Sequence, residues 1–171
     1  FVLVGLLGPH IAPEDPNRLD LAGRLQPPVW QSEGSWDHPL GTDDLGRDTL
    51  SRLIHGARIS LLAIGMTIPI ATVIGSTAGL AAGWFGGWIS RVLMAGVDLQ
   101  LAMPGILLAV LLASIWGPSL RNVVIVLVVF LWAGFARIVR SETISLAERE
   151  FVIAARTIGA SDARIMARHI L

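Results

Sequence analysis

The sequence predicts an all-α fold, a polytopic bundle of membrane helices. Of its 171 residues, 53% are hydrophobic and only 15% are charged, whereas a soluble domain usually carries about 25% charged residues. The apolar residues are gathered in blocks that approach the roughly 20 residues needed to cross a bilayer as a helix. Cysteine is absent, so the chain has no disulfide, thiolate metal site or cysteine nucleophile.

Four apolar segments define the predicted spans. Residues 1–8 are expected to be the end of a first transmembrane helix. Residues 57–83, 89–115 and 120–136 are expected to be three further spans, because each is long and almost free of charge. Short turns rich in glycine, proline and tryptophan separate the last three segments.

The distribution of charge orients these segments. Six of the 13 basic residues follow Phe135, and every basic residue is an arginine. Because loops on the cytoplasmic side are enriched in basic residues, the polar tail, residues 141–171, is predicted to be cytoplasmic. Residues 9–56 then form an external, proline-rich loop, and residues 57–171 form a partial transmembrane domain.

Two features within the spans predict close packing and helix distortion. Gly75, Gly79 and Gly83 recur every four residues, which places them on one helix face and lets another backbone approach. This stripe is compatible with a moving helix seam or with ordinary membrane packing. Pro69 and Pro104 each remove a backbone donor and predict a kink. Such kinks occur in translocation paths and also without any pathway role.

Acidic residues suggest two further sites. Asp98 is the only acid within a predicted span, but its distance of about two helical turns from Arg91 favours a structural role near the cytoplasmic interface. Four residues of the external loop could suggest a metal or hydrolytic site, namely His38, Asp43, Asp44 and Asp48. Their spacing matches no common metal-ligand pattern and predicts a turn-rich structural segment instead. The chain is assigned no metal site and no catalytic residue.

The polar tail predicts two short helices joined by a glycine. Ser145 and Glu148 match a capping box, so a helix is predicted to begin at Ser145 and to stop at Gly159. Ser161 and Asp162 then cap a second helix. Small residues on the first helix would let a partner protein approach its backbone closely. An amphipathic helix lying on anionic lipid is the alternative.

Two motifs resemble those of ABC-transporter inner-membrane permeases. The run AARTIGAS at residues 154–161 is similar to the EAA loop of that family, although Ile153 stands where the motif has its glutamate. The runs HPLGTDDLGRD at residues 38–48 and GARISL at residues 56–61 resemble the dipeptide, oligopeptide and nickel type, in its second ("C") permease subunit. The resemblance covers almost the whole chain.

The resemblance implies a partial type I ABC importer permease, from the end of helix one to helix four plus the coupling loop. It implies that the tail helix seats in a cytoplasmic ABC ATPase subunit through a set of coupling residues, namely Glu150, Ala154, Ala155, Arg156, Gly159, Ser161 and Asp162. ATP and Mg²⁺ would be bound by that partner, because this chain has no GxxxxGK[ST] loop. No cofactor and no enzymatic activity are assigned to this chain.

Further partners follow from the same resemblance. They are a second permease subunit, an external substrate-binding protein and the lipid of the inner membrane, and the imported solute would be a di- or oligopeptide or nickel. No basic tract with interleaved aromatics indicates nucleic-acid binding. Two other classes stay open. A membrane-anchored scaffold needs only the tail, and a secondary transporter needs polar mid-span residues, which the second and fourth spans almost lack.

Overall fold

The computed structural model describes residues 2–170, with the exception of the side chains of Pro9, His10 and His169. Phe1 and Leu171, which the sequence assigns to the first span and to the polar tail, lie outside the described residues. The chain divides into two compact units, residues 1–64 and 65–171. One long helix continues from the first unit into the second.

The described residues confirm the all-α prediction. The helices are α1 (Val2–Ile11), α2 (Thr49–Phe85), α3 (Gly87–Ala102), α4 (Gly105–Trp116), α5 (Leu120–Ala147), α6 (Glu150–Thr157) and α7 (Asp162–Ile165). A 3₁₀ turn, Leu21–Gly23, lies in the loop after α1, and a π-helical turn, Met166–Ile170, follows α7. Within residues 2–170 the only extended pairing is an isolated bridge between Thr42 and Asp48.

In the first unit, α1 packs against the beginning of α2 through two glycines. A Cβ atom at Gly8 would lie 2.9 Å from Cγ2 of Ile54, and one at Gly5 would lie 3.2 Å from the carbonyl oxygen of Ala57. The predicted loop boundary at residue 56 is wrong, because α2 already begins at Thr49.

Asp48 explains this early start of α2. Its carboxylate accepts a hydrogen bond from the Ser51 N–H at 2.7 Å, which satisfies a donor of the first helical turn that would otherwise lack a partner. The other carboxylate oxygen lies 3.2 Å from Nδ1 of His38. Asp48 is buried and caps the start of α2, with the His38 ring beside its second carboxylate oxygen.

Asp43 organises the turn before that cap. Its carboxylate accepts hydrogen bonds from the backbone N–H groups of Leu45 at 2.9 Å and Arg47 at 3.0 Å. It also pairs with the guanidinium groups of Arg47 and Arg52. The prediction of a turn-rich structural segment is confirmed. Within residues 2–170, no three His, Cys, Asp or Glu side chains are grouped closely enough to hold a metal ion.

In the second unit, the glycine stripe of α2 packs against α5. A Cβ atom at Gly75 would lie 2.6 Å from Cβ of Phe135, and one at Gly83 would lie 2.7 Å from Cβ of Thr143. The residue numbers rise together along this contact, so α2 and α5 run parallel. The predicted close seam is confirmed, and the physical reason is that only glycine lets the two backbones approach this closely.

The two prolines behave differently. The helix α2 continues through Pro69 without a break. At Pro104 the predicted third span separates into α3 and α4, which meet at 89°. Because α2 and α5 run parallel, the chain between them must return across the same thickness, and the bent pair provides that return. The helices α2 and α5 are each long and apolar enough to cross a membrane.

The α3–α5 contact completes the packing of this unit. Val97, Ala133 and Ala136 are fully buried and form its centre, with Met94 and Trp132 packed around them. The helix α5 has 28 residues and continues past the predicted fourth span, residues 120–136, to Ala147. The additional turns of α5 project beyond the apolar segment and lead directly to α6.

Replacing Gly79 by leucine should disrupt the α2–α5 seam. A Cβ atom there would lie 3.0 Å from both Cβ of Val139 and the backbone nitrogen of Arg140, and overpacking of this kind costs about 1–3 kcal/mol or more. We expect a lower thermal unfolding temperature of the purified full-length permease. The matched control is Gly65→Leu in the same helix, where no atom lies within 4 Å. Equal unfolding temperatures for the two variants would contradict the assignment.

Low pH should destabilise the loop of the first unit, because it protonates the Asp43 carboxylate. Desolvation raises the pKa of this carboxyl, but hydrogen bonds from Arg47 and Leu45 and the Arg47 charge favour the ionised form more, lowering the pKa from 3.8 to about 2. The resulting stabilisation is complete above the unfolded pKa and is lost as the pH falls towards about 2. Fluorescence of the loop residues Trp30 and Trp36 should therefore change over this window in the wild type but less in Asp43→Asn. Asp44→Asn is the control, and a wild-type-like response of Asp43→Asn would refute the role.

Candidate partner-docking site

The polar tail folds into a helical hairpin made of α6, a tight turn and α7. The turn has the hydrogen bonds of a Schellman motif: the Ala160 N–H donates to the Ala155 carbonyl at 3.1 Å, and the Gly159 N–H donates to the Arg156 carbonyl at 3.0 Å. Gly159 has a φ of +82°, a left-handed conformation that favours glycine. The predicted stop at this glycine is confirmed.

The inner side of the hairpin is a small apolar core. Val152 and Ile165 are fully buried and Ala155 is 7% exposed. Trp84, at the end of α2, and Ala160, after the glycine turn, pack against them. Ala155 therefore points into the hairpin, and its small side chain allows α6 and α7 to lie close together.

Arg156 fastens the hairpin to α2. Its guanidinium carbon lies 4.4 Å from the ring centroid of Trp84, a cation–π contact. The sequence assigned Arg156 a polar contact with a partner, and the structure places its charge over an aromatic ring of the same chain. Trp84 also packs against the apolar core of the hairpin. This side chain therefore holds α6 at the end of α2 by a cation–π contact and by apolar packing.

The outer side of the hairpin is exposed. Ile158 is 85% exposed and Ile153 is 53% exposed, and Ala154 and Gly159 lie beside them on the surface. These isoleucines, one on α6 and one directly after it, form an exposed apolar patch of the kind that often marks a protein interface. We call Ile153, Ala154, Ile158 and Gly159 the outer patch.

The remaining predicted coupling residues lie at the ends of the two short helices. Glu150 is the first residue of α6, and Asp162 is the first residue of α7, both exposed. An acid in a first turn complements the helix dipole. Ser161 is in the predicted N-cap position of α7, but its side chain makes no capping hydrogen bond.

The predicted helix start at Ser145 is wrong. Ser145 lies inside the last turn of α5, which ends at Ala147, and α6 begins at Glu150 with Arg149 as its N-cap. The reason is tertiary. Thr143 is fully buried and packs against the Gly83 position, so α5 is held as a helix past the point where the capping-box pattern suggested a beginning.

Two polar contacts between α3 and α5 were not foreseen from the sequence. Arg137 donates to Asp98 at 2.6 Å, and Arg140 donates through Nε to the Ser90 hydroxyl at 3.0 Å. The partner of Asp98 is thus Arg137, and Arg91, the basic residue nearest in sequence, makes no ion pair among the described residues. The arginines three residues apart on α5 were the available signal, because that spacing places them on one helix face.

The helices and the hairpin define the class of protein: a polytopic helical membrane protein with an exposed apolar patch beyond its spans. Residues 75–171 match the family described as binding-protein-dependent transport system inner membrane component. The chain belongs to this family. The match covers both the α2–α5 seam and the whole hairpin.

Curated relatives extend the similarity to the rest of the chain. The chain is 39% identical over 171 residues to the dipeptide transport system permease protein of Alkalihalophilus pseudofirmus, covering 100% of this chain and 54% of the relative. It is 43% identical over 134 residues to the glutathione transport system permease protein of Pectobacterium atrosepticum, covering 78% of this chain and 44% of the relative. The chain thus spans about half the length of the relatives that it matches.

A third relative matches this chain over a similar length. The di/tripeptide transport system permease protein of Pseudomonas aeruginosa is 39% identical over 166 residues, which cover 97% of this chain and 55% of the relative. The predicted resemblance to peptide-type permeases is therefore confirmed at the level of the family and of these relatives.

Removing the Trp84 ring should loosen the hairpin. Trp84→Ala eliminates the contact with Arg156, a contribution of about 0.5–1 kcal/mol at an exposed site, and uncovers part of the Val152 and Ile165 core. We expect faster tryptic cleavage after Arg156 in inverted membrane vesicles. The control is Trp88→Ala, because Trp88 is 68% exposed and makes no cation–π contact among the described residues. Equal cleavage rates would show that Trp84 does not hold α6.

Proposed function

We propose that this chain is part of the permease subunit of an ATP-driven, binding-protein-dependent importer in the inner membrane. In this proposal a separate cytoplasmic ATPase subunit docks on the outer patch. The observation that carries the proposal is the hairpin itself: an exposed apolar surface on α6, supported from behind by a buried core and by Trp84. Membership of the transport family supports the same conclusion.

The packing of the second unit suggests how a movement of the hairpin would reach the membrane. The hairpin is covalently continuous with α5 and contacts the end of α2 through Trp84. Because α2 and α5 are in close contact along the glycine stripe, they would move together. Closure of the ATPase subunits would then displace both helices together with α3, which packs on α5 around Val97.

The coupling residues divide into two roles under this proposal. The outer patch and the exposed ends of the helices, Glu150, Ser161 and Asp162, would touch the ATPase directly. Ala155 and Arg156 would act as positioning residues, since they face the hairpin core and the Trp84 ring. ATP and Mg²⁺ would remain in the partner subunit, and this chain would carry out no covalent chemistry.

Peptides are the proposed solutes. The relatives reported above carry names for dipeptide, di/tripeptide and glutathione transport, and these names support a di- or oligopeptide rather than nickel. An external binding protein would deliver the solute, and a second permease subunit would complete the membrane part. A scaffold and a secondary transporter are the other classes compatible with the sequence, and membership of the binding-protein-dependent transport family supports the importer over both.

Placing a charge on the outer patch tests the proposal. Ile158→Glu should weaken association with the ATPase subunit at least about tenfold, because an unpaired carboxylate would be buried against the partner. Membrane insertion should be unchanged, since the residue is 85% exposed in the permease. Co-purification of the ATPase with the full-length permease measures the effect.

Two further variants complete this experiment. Gly159→Val should also weaken association, because valine strains a φ of +82°. Ser145→Glu is the control, since this exposed residue lies on α5 outside the hairpin. Normal association of both Ile158→Glu and Gly159→Val would exclude the hairpin as the ATPase-docking site.

A further inference from the structure

Arg140 on α5 contacts both α2 and α3. Its backbone faces α2: a Cβ atom at Gly79 would lie 3.0 Å from the Arg140 nitrogen, and one at Gly83 would lie 2.9 Å from the Arg140 carbonyl oxygen. Its side chain reaches α3, where Nε donates to the Ser90 hydroxyl at 3.0 Å. One residue of α5 thus touches the glycine stripe of α2 with its main chain and the beginning of α3 with its side chain.

The connection between α2 and α3 does not by itself fix the orientation of α3. It consists of two glycines, Gly86 with a φ of +61° and Gly87 with a φ of +51°. A Cβ atom at either position would meet no atom within 4 Å, so these positions have open space beside them. Because glycine adopts many backbone conformations, the position of α3 depends on its contacts with α5.

Two other contacts between α3 and α5 lie farther along α3. Val97 packs against Ala133, about 10 Å from Ser90 along the helix. Asp98 pairs with Arg137, but both side chains are largely exposed, by 68% and 58%, and exposed ion pairs contribute little. Among the described residues, the bond from Arg140 is therefore the polar contact between these two helices that lies nearest to the beginning of α3.

The bond between Ser90 and Arg140 is shielded from solvent. Ser90 is 8% exposed, and Arg140 is half-buried. Hydrogen bonds from an ionised donor are stronger than those between neutral groups. Arg140 has no carboxylate partner among the described residues, so Ser90 directs its side chain. Removal of the arginine would leave a buried hydroxyl without its partner.

We propose that Arg140 is a positioning residue for ATP-driven transport, because it makes α2, α3 and α5 move as one body. This inference rests on the proposed function, in which the ATPase displaces the hairpin at the ends of α2 and α5. The α2–α5 seam transmits this displacement along both helices, and the bond from Arg140 to Ser90 transmits it to the beginning of α3. Without this bond, the beginning of α3 would shift relative to α5 when the hairpin moves.

Distances between spin labels test this inference. The chain contains no cysteine, so labels can be attached at Val92→Cys on α3 and Leu131→Cys on α5, both exposed positions. Any cysteines elsewhere in the full-length assembled transporter are replaced. Double electron–electron resonance then measures the distance between the labels without nucleotide and with ATP and vanadate, which arrest the ATPase during hydrolysis.

The wild type should give the same distance in both states. In Ser90→Ala and in Arg140→Met the distance without nucleotide should be unchanged, because the packing around Val97 remains. With ATP and vanadate, the mean distance in these variants should shift by about 1–2 Å, the size of typical helix shifts. The double variant should shift no further than either single variant, since both changes remove the same bond.

Arg91→Met is the matched control. Arg91 is next to Ser90 on α3, is exposed and makes no hydrogen bond or ion pair among the described residues. The same loss of an arginine there should leave the wild-type distances in both states.

Three results would show that the inference is wrong. Unchanged distances in Ser90→Ala and Arg140→Met with ATP and vanadate would mean that α3 follows α5 without the bond. Equal shifts in both states would mean that the bond is only structural. A wild-type distance that changes with ATP and vanadate would mean that α3 and α5 do not move as one body.

The same measurements separate this inference from the proposed function. Normal ATPase association of Ile158→Glu and Gly159→Val, combined with an ATP-dependent shift in Ser90→Ala, would retain the role of Arg140 and reject the outer patch. ATPase association lost in Ile158→Glu, combined with no shift in Ser90→Ala, would retain the outer patch and reject the role of Arg140. A wild-type permease that binds no ATPase would refute both.

Discussion

The close contact between α2 and α5 is the constraint on which the second unit depends. Three glycines at helical spacing bring one backbone against the other, and membrane helices associate through such van der Waals contact because lipid provides no hydrophobic drive between them. The contact holds the two helices parallel. Parallel neighbours in turn require a returning segment, and the bent α3–α4 pair fills that requirement. The α3–α5 core around Val97 then fixes the return segment to the same helix.

This seam also positions the hairpin. The end of α5 carries α6, and the end of α2 carries Trp84, so the hairpin rests on the ends of two helices that cannot move far apart. The small core of Val152, Ala155 and Ile165 is too limited to hold an eight-residue helix in place by itself. Support from Trp84 explains how a short helix can present a defined outer patch.

The loop of the first unit is held together mainly by hydrogen bonds and not by helix packing. It has few large buried side chains, and its order comes from hydrogen bonds of Thr42, Asp43 and Asp48. The acidic residues that could have suggested a metal site cap a helix and close a turn. The Nδ1 atom of His38 and the guanidinium group of Arg47 are directed to these structural carboxylates, so the fold accounts for the motif.

The sequence by itself determined the helical class, the glycine seam, the stop at Gly159 and the family. These features depend on local composition and periodicity, which a sequence displays directly. Only the tertiary structure decided that α5 passes Ser145, that Pro104 breaks a span while Pro69 does not, that Ala155 turns inward and that Asp98 pairs with Arg137. Each of these features depends on which residue of another helix lies opposite. The spacing of residues along one helix does not determine which residues of different helices meet.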